Sequence, residues 1–224
     1  VVAMSKKFAI DLYFDVISPY SFILFESLLA YRTQWPMEVN LKPVGLAHIF
    51  KAAGNQAPAI AVPGKGPYMH KDVNRLARYY NIPLKFREDF LTVITTKSSL
   101  NANRLIAAVK LEQPEKAEAV ARALFRRFWI DRSDIFDTKD FVEVLTACGV
   151  RDVTRLVSSL SSDAVKEVMK QNTDAALETG CFGAPWTVLH LSNGKRESFF
   201  GSDRLHIIGH MMGQKFDGPL PAKL

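Results

Sequence analysis

Near its N-terminus the chain carries apolar residues at every second position. Ile10, Leu12 and Phe14 follow this spacing in a run that is rich in strand-forming residues. Because successive side chains of a strand face opposite sides of a sheet, the pattern predicts a buried β-strand over residues 8–16. A second run of the same kind predicts a short strand over residues 39–44.

A helix start lies between these two predicted strands. Ser18 can accept a hydrogen bond from a first-turn amide, and Pro19 suits the first helical position because its missing N–H would have no partner there. The apolar stretch that follows predicts a helix over residues 20–31.

From residue 69 to residue 179 the apolar spacing is helical. The clearest stripe repeats at i, i+3, i+4, i+7, i+8 and i+11; it consists of Ala117, Val120, Ala121, Leu124, Phe125 and Phe128. Asp137 and Ser162 are predicted helix caps within this segment. We predict five or six helices here.

Alternation returns towards the C-terminus. Residues 186–191 and 196–200 are predicted strands, and an Asn-Gly pair between them is a strong hairpin signal. A last helix is predicted to begin at residues 202–203 and to end at Gly213.

The predicted order is therefore β-α-β, a set of helices, and β-β-α. Without the helices between the two halves, this is the order of a thioredoxin-like fold. We predict an α/β protein in which residues 5–68 and 180–218 form a thioredoxin-like domain. An all-helical domain, residues 69–179, is inserted between its βαβ and ββα halves, and residues 219–224 form a tail.

Composition narrows the class of protein. With 224 residues, 48% of them hydrophobic, the chain can bury a core and does not resemble a disordered protein. No run of about 18 apolar residues occurs, so we expect no membrane insertion. The net charge of +6 comes from Lys and Arg residues that are interspersed with Asp and Glu along the chain. This distribution disfavours nucleic acid as a partner and is typical of a solvated surface with a modest positive field; attraction of a small anionic substrate is the alternative.

Cysteine content and the termini give further expectations. Cys148 and Cys181 are too few for a disulfide scaffold and are expected to be reduced. No secretory signal is visible, and residues 1–3, ahead of Met4, are interpreted as a cloning remnant. The ending Ala-Lys-Leu at residues 222–224 is close to the peroxisomal Ser-Lys-Leu signal and predicts peroxisomal import.

The predicted helix start is the first candidate for chemistry. Thioredoxin-like oxidoreductases have a Cys-x-x-Cys pair there, and the helix dipole favours the thiolate. Ser18 and Ser21 occupy both positions here, which excludes dithiol redox chemistry at this place. The Ser18 hydroxyl could instead donate a hydrogen bond to the thiolate of a bound substrate. A purely structural role as helix cap remains the alternative.

Two further segments suit a peptide ligand. A cis bond between Ala184 and Pro185 would leave the backbone of Ala184 free to pair with an extended peptide, whereas a plain strand-entry proline is the alternative. The Ser202 hydroxyl and nearby amides suit a carboxylate, and Asp203 could hold an ammonium, as in a γ-glutamyl group. A simple helix cap is again the alternative.

No metal site is predicted. His206 and His210 are spaced i, i+4 on the last predicted helix but lack the acidic partner of a metalloprotease motif, and no third ligand is evident.

Several segments resemble the signature segments of kappa-class glutathione S-transferases, in the same order and spacing over residues 8–219. They are residues 13–21, 54–55, 64–69, 89–91, 182–185 and 200–204. The resemblance implies a thioredoxin-like domain with a DsbA-like helical insertion, a homodimer, and conjugation of glutathione to small electrophiles. Glutathione would be a cosubstrate, with no further cofactor. A mitochondrial location would also fit the family.

Position by position, the resemblance makes Ser18 the catalytic residue that stabilises the glutathione thiolate. The implied glutathione-binding residues are Ser18, Pro19, Tyr20, Asn55, Lys65, Ala184, Pro185, Ser202 and Asp203. Three positions depart from the family pattern, since Ala184 is smaller than usual, Phe22 replaces a tryptophan and Trp186 is larger. The shape of the electrophile pocket is therefore not transferred.

Two other functions remain open. One is a glutathione-dependent enzyme like 2-hydroxychromene-2-carboxylate isomerase, whose family is related and has the same fold. The other is a non-catalytic module that binds glutathione or a peptide.

Overall fold

A computed structural model describes residues 7–221. The interpretation of residues 1–3 and the predicted peroxisomal signal at residues 222–224 lie outside the described residues, so peroxisomal import stays a prediction.

Within residues 7–221, four strands form one mixed sheet in the order β2-β1-β3-β4. They are β1 (Phe8–Phe14), β2 (Met37–Pro43), β3 (Trp186–His190) and β4 (Arg196–Phe200). β2 runs parallel to β1, whereas β3 is antiparallel to both β1 and β4. All four predicted strands are present, and their ends lie within two residues of the predicted ones.

In the described residues, ten α-helices precede β3 in the sequence and one follows β4. They are α1 (Pro19–Ala30), α2 (Leu46–Ala52), α3 (Pro58–Ala61), α4 (Lys65–Tyr79), α5 (Phe90–Thr96), α6 (Leu100–Glu112), α7 (Ala117–Trp129), α8 (Thr138–Ala147), α9 (Val153–Ser158), α10 (Asp163–Glu178) and α11 (Leu205–Met211). The order β-α-β, helices, β-β-α is confirmed, and with it the thioredoxin-like fold.

Some helix predictions were wrong. Seven α-helices, not five or six, lie between β2 and β3 from α4 onwards, and α2 and α3 fall where no helix was predicted. The last helix begins at Leu205, not at residues 202–203, because the Ser202 hydroxyl accepts from no amide in the described part of the chain. The predicted caps are confirmed, since Asp137 forms a capping box with Asp140 and Ser162 accepts from the amide of Val165.

One hydrophobic core joins the sheet to the helices. α1 crosses over between the parallel strands β1 and β2, and all of its residues except Tyr20 are buried. Its outer side packs on α7, where the rings of Phe22 and Phe125 stack with centroids 5.2 Å apart. The indole N–H of Trp129, at the end of α7, donates to the carbonyl of Val16 at 3.0 Å. α7 therefore supports the turn that leads into α1.

Within residues 7–221, every helix is too short or too polar to cross a bilayer.

Candidate functional site

A cavity of about 880 Å³ opens at one end of the strands. β1, β2 and β4 finish at this end of the sheet and β3 begins there, which is where open α/β sheets bind their ligands. All nine residues predicted from the sequence line it, namely Ser18, Pro19, Tyr20, Asn55, Lys65, Ala184, Pro185, Ser202 and Asp203. The fold thus gathers residues that are up to 185 positions apart in the sequence.

The Ser18 hydroxyl serves two neighbours. Its oxygen accepts from the amide of Ser21 at 3.2 Å and so caps α1. The same hydroxyl donates to the carbonyl of Ala184 at 3.3 Å, across the cavity edge. Capping uses a lone pair and leaves the proton for another acceptor, so the two roles weighed from the sequence are compatible.

The bond between Ala184 and Pro185 is cis, which confirms the less common of the two alternatives. Among residues 7–221, the Ala184 N–H donates no hydrogen bond. Its carbonyl, expected to be free as well, instead accepts from Ser18. Of the two backbone groups of Ala184 that could pair with a peptide, the N–H is therefore available. The carbonyl is bonded to a hydroxyl that can rotate away.

The segment before α11 presents an unsatisfied hydroxyl. Ser202 is 1% exposed, lines the cavity, and its Oγ has no hydrogen-bond partner in the described part of the chain. A buried hydroxyl without a partner is costly, so a polar ligand group would satisfy it. Gly201 has φ +94°, a conformation that favours glycine and lets the chain turn towards Ser202. The neighbouring Asp203 carboxylate lies 3.5 Å from the Nε of Arg204.

Tyr20 is held by a residue that the sequence reading missed. Its hydroxyl donates to the carboxylate of Asp72, on α4, at 3.0 Å. Burial, together with Asp72, raises the pKa of Tyr20 well above its usual range, so the phenol keeps its proton. Asp72 shares the face of α4 that carries Lys65, and this i, i+7 spacing is the signal that could have revealed it.

Asn55 and Lys65 differ in their availability. The Asn55 amide donates to the carbonyl of Phe182 at 2.7 Å, and its oxygen accepts from the amide of Gln56 at 2.8 Å. Asn55 therefore ties the loop after α2 to the segment before the cis bond. Lys65, in contrast, has no acidic partner within residues 7–221 and its charge remains open to a ligand.

Asp15 is a second residue that the sequence reading missed. Its buried carboxylate accepts from the amides of Ile17, at 3.1 Å, and Leu46, at 3.0 Å, and from the Ser99 hydroxyl, at 3.0 Å. Burial raises the pKa of Asp15 although these hydrogen bonds oppose the shift. The carboxylate joins three wall segments of the cavity: the turn before Ser18, the start of α2 and the start of α6.

The chain's own thiols are not placed to act as nucleophiles. The Cys181 thiol is buried and donates to the carbonyl of Gly183 at 3.3 Å, and burial raises its pKa to about 11. Burial raises the pKa of Cys148 as well. Neither thiol is ionised to a useful extent near neutral pH. In the described residues, no three His, Cys, Asp or Glu side chains are grouped to hold a metal ion.

Comparison with known proteins agrees with this geometry. The family model described as a DSBA-like thioredoxin domain matches residues 9–212. Glutathione S-transferase kappa 1 from Rattus norvegicus is 36% identical over 96% of this chain and 95% of its own length. Glutathione S-transferase kappa 2 from Caenorhabditis elegans is 34% identical over 98% of each chain.

The chain belongs to the kappa-class glutathione S-transferase family. The family resemblance read from the sequence is thereby confirmed. A second group of relatives of this kappa-class chain is more distant. 2-Hydroxychromene-2-carboxylate isomerase from Pseudomonas putida is 26% identical over 92% of this chain and 94% of its own. A solved structure of such an isomerase superimposes with a TM-score of 0.74, at 26% identity, covering 92% of this chain and 94% of that one.

The cavity of this kappa-class chain also has an apolar wall. Polar residues line the cavity around Ser18, Ala184 and Ser202, and Lys97 and Ser98 line it as well. The apolar wall comes from α2, α4 and α5 and includes Ala47, Phe50, Met69, Leu76, Phe90 and Ile94. A polar strip beside an apolar wall suits a peptide-like cosubstrate next to an apolar second substrate.

Proposed function

We propose that the protein is a glutathione transferase. It binds glutathione with the sulfur beside Ser18, keeps that sulfur ionised, and positions it for attack on a small apolar electrophile. The observation that carries the proposal is the Ser18 hydroxyl, which stands at the N-terminus of a buried helix with its proton turned towards the cavity edge.

The energy available at Ser18 is sufficient for this task. A free thiol with a pKa of about 8.5 is only a few per cent ionised at neutral pH. Lowering that pKa by about two units needs about 2.7 kcal/mol of differential stabilisation. A charge-assisted hydrogen bond contributes about 1.5–3 kcal/mol, and a helix N-terminus up to about 1–2 kcal/mol. The thiolate then forms the carbon–sulfur bond, while the leaving group departs with its electron pair and the thiol proton goes to solvent.

Binding would exchange hydrogen bonds at the cavity edge. When the thiolate accepts the hydrogen bond from the Ser18 hydroxyl, the Ala184 carbonyl loses its present donor. That carbonyl can then accept an amide N–H of glutathione while the Ala184 N–H donates to a glutathione carbonyl, in the manner of a short strand pair. The same movement thus places the sulfur and aligns the peptide.

The ends of glutathione match the remaining polar groups. The Ser202 hydroxyl, which has no partner within residues 7–221, suits the γ-glutamyl carboxylate, and Asp203 suits its ammonium. Lys65 suits the glycyl carboxylate. The Tyr20 phenol, fixed by Asp72, lines the space beside Ser18.

A pH profile of conjugation tests the role of Ser18. Ser18→Ala removes the hydroxyl, so we expect a rise of about one to two units in the pH midpoint of kcat/KM for the electrophile, measured at saturating glutathione. Ser21→Ala is the matched control, because the Ser21 hydroxyl lies one turn away, is fully buried and does not line the cavity. An unchanged profile in Ser18→Ala, with the protein still folded, would leave Ser18 only as a helix cap.

The isomerase relatives motivate a second candidate function. Their similarity covers nearly the whole chain, and their name specifies a carboxylate as substrate. Turnover of a hydroxychromene carboxylate without conjugation of chlorodinitrobenzene would favour this function. Calorimetry that shows tight glutathione binding, with no turnover of either compound at any pH, would favour a binding module.

Association into a homodimer is also a proposal, supported by the kappa-class resemblance. Sedimentation velocity at micromolar concentration tests it, with a mass near twice 25.1 kDa as the expected result.

A further inference from the structure

The apolar wall of the cavity ends in a positive charge. Phe90, Ile94 and Lys97 all line the cavity, and their i, i+4, i+7 spacing places them on one face of α5 and its C-terminal cap. The first two present apolar surface and the third an ammonium. A substrate that lies along this face would meet aromatic and aliphatic carbon first and a cation at its end.

Lys97 has no carboxylate partner in the described part of the chain. The carboxylates that line the cavity are engaged elsewhere. Asp15 accepts from two amides and Ser99, Asp72 accepts from Tyr20, and Asp203 lies beside Arg204. The Lys97 charge therefore remains available to a ligand.

A hydroxyl donor lies next to Lys97. The Ser98 oxygen accepts from the amide of Leu100 at 3.3 Å, which uses a lone pair and leaves its proton free to be donated. Ser99, in contrast, directs its hydroxyl to Asp15. An ammonium and a hydroxyl on consecutive residues, at the positive end of α6, together suit one carboxylate group.

Hydrogen bonds to Asp15 locate this pair relative to Ser18. Ser99, two residues from Lys97, and the amide of Leu46, at the start of α2, donate to one oxygen of Asp15, whose other oxygen accepts from the amide of Ile17, next to Ser18. Lys97 and Ser98 therefore lie two and one residues from a contact that reaches the Ser18 turn, where the electrophile must meet the sulfur. The glycyl carboxylate of glutathione is assigned to Lys65, on α4, which leaves Lys97 for a different ligand group.

We propose that the electrophile is an apolar molecule that carries a carboxylate, and that Lys97 and Ser98 bind this carboxylate while Phe90 and Ile94 contact its apolar body. This inference rests on the proposed function and specifies its second substrate. Lys97 is then a specificity-determining residue, and it acts on the electrophile without touching glutathione.

Two matched electrophiles test the inference. 1-Chloro-2,4-dinitrobenzene and 4-chloro-3,5-dinitrobenzoate react in the same way, with a carbon–sulfur bond formed and chloride lost, but only the second carries a carboxylate. Each kcat/KM is divided by the uncatalysed rate constant with glutathione. We expect the benzoate to exceed the neutral compound by about tenfold or more, with an excess that shrinks as salt is added.

Three lysine variants separate the roles. Lys97→Gln should abolish the benzoate excess through a higher KM for the benzoate. Lys65→Gln should raise the KM for glutathione with both electrophiles and keep the excess. Lys71→Gln, an exposed position of α4 that does not line the cavity, should change neither.

The outcomes distinguish this inference from the proposed function. Equal normalised rates for the two electrophiles, or an excess that survives Lys97→Gln, overturn the inference while conjugation itself stands. Absence of turnover with both electrophiles at every pH overturns the proposed function, and the inference with it.

Discussion

At the scale of single residues, Ser18 and Asp15 each hold parts of the site together through more than one hydrogen bond. Ser18 was recognisable from the sequence because its signals are local: a capping serine, a proline in the first turn and a second serine three positions on. Asp15 was not recognisable as a site residue, because its partners Leu46 and Ser99 lie 31 and 84 positions away. Only the fold brings them together.

The carboxylate of Asp15 is predicted to position Ser18. Asp15→Asn keeps the size of the side chain but replaces one acceptor oxygen with an amide, so a buried donor loses its partner at a cost of about 1–3 kcal/mol. We expect kcat/KM for conjugation to fall by about tenfold or more, since the turn before Ser18 and the start of α2 shift together.

Asp140→Asn is the control for this variant. Asp140 is equally buried and accepts from the amides of Phe136 and Asp137 and from Arg127, but it lies outside the cavity lining. Urea unfolding should show a comparable loss of stability with nearly normal kcat/KM. If both variants lose activity only in proportion to their folded fraction, Asp15 has no positioning role.

At the scale of elements, length together with start and stop residues decided which helices the sequence revealed. α7 has 13 residues and α10 has 16, so several turns repeat the apolar spacing. α2 and α5 have seven residues each, which is fewer than two full turns and offers little repeat of an apolar period. The cavity walls include both of these short helices, so the apolar wall could not be predicted.

Two glycines should respond to alanine with opposite signs. A Cβ at Gly209, in α11, would lie 2.7 Å from the ring of Trp35, so Gly209→Ala should destabilise the protein by about 1–3 kcal/mol. A Cβ at Gly66, in α4, would meet only Ala59, at 3.8 Å, so Gly66→Ala should stabilise by up to about 1 kcal/mol. Urea unfolding measures both, and a stabilising Gly209→Ala would contradict the packing of α11 on Trp35.

At the scale of the whole molecule, one core links the sheet to the helices between β2 and β3. The ring of Phe125 on α7 packs against Phe14 of β1 and against Phe22 and Phe25 of α1. The order of elements was predictable from the sequence, whereas this shared packing was not. A stripe of apolar residues indicates that one face of a helix is buried, but not which element packs on it. The division into two domains remains a prediction.

The buried ion pair between α1 and α7 predicts a pH dependence of stability. Burial raises the pKa of Glu26 despite the hydrogen bond from Arg122, at 2.8 Å. A raised folded-state pKa means that stability is fully present below the unfolded-state pKa and is lost as pH rises through the folded-state value. Glu26→Gln has no such loss, so its free energy of unfolding relative to the wild type should improve between pH 4 and pH 8.

Glu118 supplies the opposite case beside the same arginine. Burial alone would raise its pKa, but hydrogen bonds and charge from Arg32 and Arg122 lower it overall. Its stabilisation is present above the unfolded-state pKa, so Glu118→Gln should lose ground relative to the wild type as pH rises. Urea unfolding over this pH range should give slopes of opposite sign, and equal slopes would refute the assigned electrostatics.

The ultraviolet absorbance of the glutathione thiolate, titrated against pH in the presence of excess protein, addresses the ionised sulfur directly. The wild-type complex should titrate about two units below the pKa of about 8.5 of a free thiol, and Ser18→Ala should return most of that shift. Bound glutathione that titrates like the free tripeptide would contradict the account.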